Sequence, residues 1–128
     1  MQQSIGFDGE FYYTTSSIEL GKFWKYDKDG RFIEQFSIPE MYYKLYDITY
    51  DGRYFYGSDW SNRLFQLDFD NRRIVRIITV KDQPDLKITH CSYDPDRKGF
   101  WVGTFTTIGF IDKNGKILSR FSNISSSE

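Results

Sequence analysis

Apolar and polar residues along this chain alternate in short runs. No long stretch carries apolar residues at i, i+3, i+4 and i+7, the spacing of an amphipathic helix. Instead, runs of four to seven aromatic and β-branched residues are bounded by Asp-Gly, Asp-Asn and Ser-Asp clusters, the pattern of strands and tight turns. In the middle of the chain the runs predict strands at about Leu45–Tyr50, Arg53–Gly57, Arg63–Asp68 and Ile74–Val80. Asp51-Gly52 supplies a turn between the first two, because glycine accepts a positive φ.

The pattern then repeats. Phe7-Asp8-Gly9, Tyr50-Asp51-Gly52 and Tyr93-Asp94-Pro95 stand 43 residues apart. A second landmark follows each: "WKYDKDGRFI" from Trp24, "FQLDFDNRRIV" from Phe65 and "GFIDKNGKIL" from Gly109, so that Asp27, Asp68 and Asp112 correspond. A period of about 40–45 residues with four strands per copy is the signature of propeller blades. The stretch "YDGRYFYGSDWSNRLFQLD" (Tyr50–Asp68) resembles the blades of six- and seven-bladed β-propellers with NHL-like, YVTN-like or glutamine-cyclotransferase-like repeats. The resemblance implies an all-β fold of three four-stranded antiparallel blades, at about 3–38, 44–80 and 86–124, forming one half-propeller domain over 1–128. It implies no single activity, since such repeats serve lyases, cyclases, lactonases and plain binding proteins.

Closed propellers need about four to eight blades. A three-bladed arc leaves two sheet faces bare, each roughly 350 Å² from strand spacing and length. At about 25 cal/mol/Å² one face is worth about 9 kcal/mol of burial. Two chains about a twofold axis would close a six-bladed ring and bury on the order of 1,400 Å², within the range of specific interfaces. A homodimer is therefore expected. The rivals are a segment of a longer propeller and a twelve-stranded sandwich or barrel.

Composition narrows the partners. With 17 Lys+Arg against 18 Asp+Glu the net charge is -1, which argues against nucleic acid or an anionic membrane as the main partner. Arg63, Arg72, Arg73, Arg76, Arg97 and Lys98 make the second half locally basic, but acidic residues are interleaved. The single cysteine, Cys91, excludes an intrachain disulfide. The first residues lack the pattern of a signal peptide, so the expected location is cytoplasmic, or secreted if a leader was removed. Asn123-Ile124-Ser125 fits a glycosylation sequon.

In propellers of this kind ligands gather at the mouth of the channel, where loops vary while the frame repeats. Here those loops are Thr14–Lys22, Pro39–Asp47, Ser58–Arg63, Lys81–His90 and Thr104–Thr107. Asp47 and His90 fall at equivalent positions with Ser4, either to hold a ligand, a metal or a water, or to satisfy backbone and hydroxyl groups near the axis. Tyr42, Tyr43, Trp60 and Phe105 lie in mouth loops and could form a platform for a sugar, peptide or aromatic ligand. Asp59, Asn62 and Arg63 could add polar contacts. The repeated Asp-Gly turns lack the third ligand and distal glutamate of a calcium loop and read as Asx turns. No catalytic residue, metal ligand or cofactor is assigned. The sequence favours a non-catalytic ligand- or protein-binding scaffold, partnered by a second copy of itself. The alternative is a metal-assisted enzyme of lyase, lactonase or cyclotransferase type using Asp47 and His90.

Overall fold

Among the described residues twelve strands follow one another, and each sheet is built from four consecutive ones. The first holds β1 (Gln2–Phe7), β2 (Tyr12–Ser16), β3 (Lys22–Tyr26) and β4 (Phe32–Ser37). The second holds β5 (Asp47–Tyr50), β6 (Phe55–Ser58), β7 (Arg63–Asp68) and β8 (Arg73–Thr79). The third holds β9 (His90–Asp94), β10 (Gly99–Gly103), β11 (Thr107–Asp112) and β12 (Ile117–Asn123). This computed structural model describes residues 2–123. The end assigned to the third blade and the last two residues of the sequon lie outside the described residues. All pairings are antiparallel, and the chain is three β-propeller blades rather than a twelve-stranded sandwich.

The turns explain why the blades repeat. Asp8, Asp51 and Asp94 each accept two backbone N–H groups from residues two and three places on, at 2.7–3.2 Å. Asp27 and Asp112 do the same for residues two and four places on. These are Asx turns, in which a side-chain oxygen stands in for a backbone carbonyl. Two strand starts differ from the expected positions. β6 begins at Phe55, because Arg53 and Tyr54 give their N–H groups to Asp51. β5 begins at Asp47, and ahead of it Leu45 lays its side chain over Gly57.

The innermost strands β1, β5 and β9 lie side by side, and the core is divided between two seams. Between the first two blades pack Tyr13, Phe23, Phe36, Ile48, Phe55, Leu67 and Phe69. Between the second and third pack Tyr56, Leu64, Ile78, Cys91, Phe100, Val102 and Ile111. Alternation along each strand turns Phe55 and Leu67 towards the first blade and Tyr56 and Leu64 towards the third. A polar link crosses each seam at its inner end. Ser4 Oγ donates to Asp47 Oδ1 at 2.8 Å, Cys91 N–H donates to Asp47 Oδ2 at 2.9 Å, and Tyr93 N–H donates to Thr49 Oγ1 at 2.9 Å. Asp47 thus ties all three blades together.

Candidate functional site

The segment before β5, the segment before β9 and the loops after β6 and β10 meet at one end of the inner strands. The β6–β7 loop is held rigidly. Asp59, nearly buried, accepts hydrogen bonds from Ser61 Oγ and from Arg63 Nη2, the latter at 3.0 Å. Trp60 N–H donates to Ile88 O at 3.1 Å, and Ile88 N–H donates to Ser61 O at 2.9 Å. These bonds hold Trp60 at φ 70°, a left-handed conformation that costs a residue with a Cβ on the order of 1–2 kcal/mol. Local strain maintained by so many surrounding bonds fixes the direction of the indole.

The indole meets two aromatic rings. Tyr46 meets it at 4.9 Å and 88°, and Phe105 at 5.1 Å and 80°. With Gln3, Thr89 and His90 these rings line a cleft of about 230 Å³. Beyond Trp60 and Phe105 the surface continues into an open trough of about 520 Å³, edged by Gln83, Asp85, Lys87, Thr104 and Thr107. His90 opens β9 and is exposed. Its Nδ1 lies 2.8 Å from Thr89 Oγ1, whose hydrogen is directed to Gly103 O at 3.3 Å. The cleft therefore offers a wall of three aromatic rings, one imidazole, one amide and one hydroxyl.

The sequence candidates are divided by the fold. Trp60, His90 and Phe105 come together in the cleft. Asp47 lies below, its carboxylate bonded to Ser4, Ile48 and Cys91. Asp59 and Arg63 bracket the loop, and the Arg63 guanidinium lies 5.0 Å from the Tyr43 ring, which itself packs on Phe65. Asn62 Nδ2 donates to Val80 O at 3.0 Å. Tyr42 stands exposed and lines neither the cleft nor the trough. His90 and Cys91 point apart: the thiol is buried, and burial first, then the Asp47 charge, pushes it well above its ordinary value. Among the described residues no three His, Cys, Asp or Glu side chains converge as a metal site.

Three lining residues, Gln3, Tyr46 and Thr89, were not singled out from the sequence. They are equivalents of one another, each immediately preceding Ser4, Asp47 or His90. Gln3 and Tyr46 line the cleft while Ser4 and Asp47 turn to each other, whereas at the start of β9 both Thr89 and His90 line it. The same repeat spacing moved by one residue would have found them.

No protein-family model and no curated protein sequence matches this chain. Among solved structures it is similar to the crystal structure of Myxococcus xanthus glutaminyl cyclase, with a TM-score of 0.78 at 15% sequence identity over 92% of this chain. The match covers 51% of the cyclase chain, so this chain spans about half the length of that protein. At that identity the likeness speaks for the propeller fold alone.

Proposed function

We propose that the protein is a non-catalytic binding module that works as a twofold dimer of three-bladed halves and takes its ligand on the aromatic wall at the channel mouth. The observation that carries this reading is Trp60, held in a strained backbone conformation with its indole nearly perpendicular to both Tyr46 and Phe105. Strain retained by a network of bonds supports a role for the indole in recognition. The ligand class that suits the surface is a sugar ring. Its apolar face would stack on Trp60 or Phe105, and its hydroxyls would meet Gln3, Thr89 and His90 Nε2.

The cyclotransferase-type alternative draws on the likeness to glutaminyl cyclase. It would need His90 as an acid–base group in partnership with a free carboxylate. Asp47 and Asp59, the two carboxylates nearest in sequence to the cleft residues, are engaged in bonds that hold the frame.

Titration of the protein with a panel of mono- and disaccharides, followed by isothermal calorimetry, tests the reading. A saccharide that binds the wild type and loses tenfold or more in affinity in Trp60→Ala and Phe105→Ala would support it. Undiminished binding in both variants would overturn the assignment of the site. Turnover of an N-terminal glutaminyl peptide, abolished by His90→Ala, would favour the enzymatic alternative.

A further inference from the structure

Strand pairing aligns the blades residue by residue. Tyr12, Phe55 and Phe100 pair with Phe7, Tyr50 and Tyr93, and the third strands follow in step. Each blade therefore has one face that meets the blade before it and one that meets the blade after it, built from equivalent positions. The equivalents differ sharply in exposure at the ends of the arc. Ile48 and Cys91 are 4% and 6% exposed, whereas Ile5, their counterpart on the first blade, is 61% exposed. Phe23 and Leu64 are 1% and 0% exposed, whereas Ile108, their counterpart on the third blade, is 44% exposed. A groove of about 440 Å³ runs over the outer face of the first blade, lined by Ile5, Tyr12, Thr14, Tyr26, Lys28 and Asp29 among others. Thr14 Oγ1 is buried in it without a hydrogen-bond partner.

The internal seam between the second and third blades shows what such a groove receives at its rim. Lys113, in the last turn of the third blade, bonds Asp51 Oδ2 of the second at 2.9 Å. Arg76 of the second blade reaches Lys113 O at 2.6 Å and Asn114 Oδ1 at 3.4 Å. Beside them Gly115, at φ 86°, lies hard against the Thr79 carbonyl. Lys28, Asp29 and Gly30 occupy the same turn positions on the first blade as Lys113, Asn114 and Gly115. There Lys28 and Asp29 are exposed, and a Cβ at Gly30 would meet nothing within 4 Å. On the third blade Asp94 corresponds to Asp51: its Oδ2 accepts Trp101 Nε1–H at 3.1 Å, as Asp51 Oδ2 accepts the Tyr56 hydroxyl. Arg97 lies exposed on that outer face, with its guanidinium 4.1 Å from the Phe110 ring.

We infer that the outer faces of the first and third blades are the two halves of one seam, closed by a second copy of this chain, with Lys28 of one copy against Asp94 of the other and Asp29 against Arg97. This rests on the dimer proposed above and deepens it to a register. The crossed signs carry the choice of occupant. The first blade presents a cation and an anion side by side; the third blade presents Asp94 at the Asp51 position and, from a different point in the repeat, the Arg97 guanidinium over Phe110, the counterpart of the Gln66 side chain that Arg76 bonds. At the inner end the equivalence sets Ser92 Oγ, exposed in the single chain, to accept the N–H of the second copy's Phe7, as Thr49 Oγ1 accepts that of Tyr93. Rotation about the twofold axis makes two identical seams, so every contact counts twice.

The test uses Asp29→Lys and Arg97→Glu in the full chain, with self-association measured by sedimentation velocity and folding checked by near-ultraviolet circular dichroism. Each variant alone places like charges at both seams, and its dimer should weaken tenfold or more relative to wild type. Mixed in equal amounts, the two variants should recover a dimer. At one seam the two substituted charges then face each other with opposite signs, and at the other the native pair remains. Lys28→Glu is a third variant and should weaken the dimer as well. Variants that dimerise alone as tightly as wild type would overturn this register while leaving the dimer standing. A wild-type chain that stays monomeric would overturn both.

Discussion

Asp47→Ala probes the strut that joins the three blades. Asp47 accepts hydrogen bonds from Ser4 Oγ at 2.8 Å, Ile48 N–H at 3.0 Å and Cys91 N–H at 2.9 Å. Cys91 is only 6% exposed, so its N–H is left unsatisfied when the carboxylate goes, at about 1–3 kcal/mol. Ser4 lies closer to solvent and can turn to water, which adds a few tenths of a kcal/mol. The expected loss is about 2–3 kcal/mol, or roughly 8–12 °C in Tm for a domain of this size. Asp47→Asn keeps one oxygen but brings an NH2 group against a donor, and should lose about half as much. The assay is urea unfolding followed by circular dichroism at one fixed protein concentration, because an associating protein has a concentration-dependent midpoint. A double-mutant cycle with Ser4→Ala should show coupling of about 0.5–1 kcal/mol. If Asp47→Ala stayed within about 0.5 kcal/mol of wild type, the strut account would be refuted and Asp47 would be free for a ligand.

Other consequences concern strain, titration and reactivity. Trp60→Gly should be more stable than Trp60→Ala by about 1 kcal/mol in thermal melts, because glycine relieves the positive φ; equal or reversed stability would contradict the strain. Gly115→Ala should cost 2 kcal/mol or more, since its Cβ would run into the Thr79 carbonyl; a variant with wild-type stability would show that this turn is not packed as described. Burial first, then nearby carboxylates (Asp8 for Tyr13, Asp51 for Tyr56), holds both phenols well above their ordinary 10.0. The folded state therefore keeps protons that the unfolded chain loses, and stability should fall as pH rises above about 10; a urea midpoint unchanged between pH 9 and pH 11 would contradict this. Burial alone would raise the Asp51 carboxyl, but hydrogen bonds from Tyr54 N–H, Lys113, Tyr56 and Arg53 N–H outweigh it and hold the group below its ordinary 3.8. That contribution is present above the unfolded value and should be lost as pH falls below about 4. Cys91 should resist thiol reagents in the native state and react on unfolding; rapid labelling of the native protein would contradict its burial.

The frame was legible because its causes are local. Each Asx turn is written in three or four adjacent residues, and the period between them counts the blades. The site was harder to read because its geometry depends on which way side chains turn. Asp47 and His90 stand out as polar residues at equivalent positions, yet Asp47 is directed into the seams while its neighbour Tyr46 enters the cleft. Asp59 and Arg63 look free in the sequence but close a bracket over two turns of chain. Nothing in the sequence marks Trp60 as left-handed, because its conformation is imposed by bonds to Ile88, 28 residues away in the next blade's approach. The repeat spacing already aligns Lys28 with Lys113 and Asp94 with Asp51, but that these positions face one another across a seam became readable only from the Lys113–Asp51 ion pair.

The central claim is that the bare faces of the end blades are seams of a ring. Sedimentation equilibrium of the wild-type chain at tens of micromolar tests it most directly. The account predicts a mass twice the 15.3 kDa of one chain. A folded protein that sediments as a single chain throughout that range would contradict it.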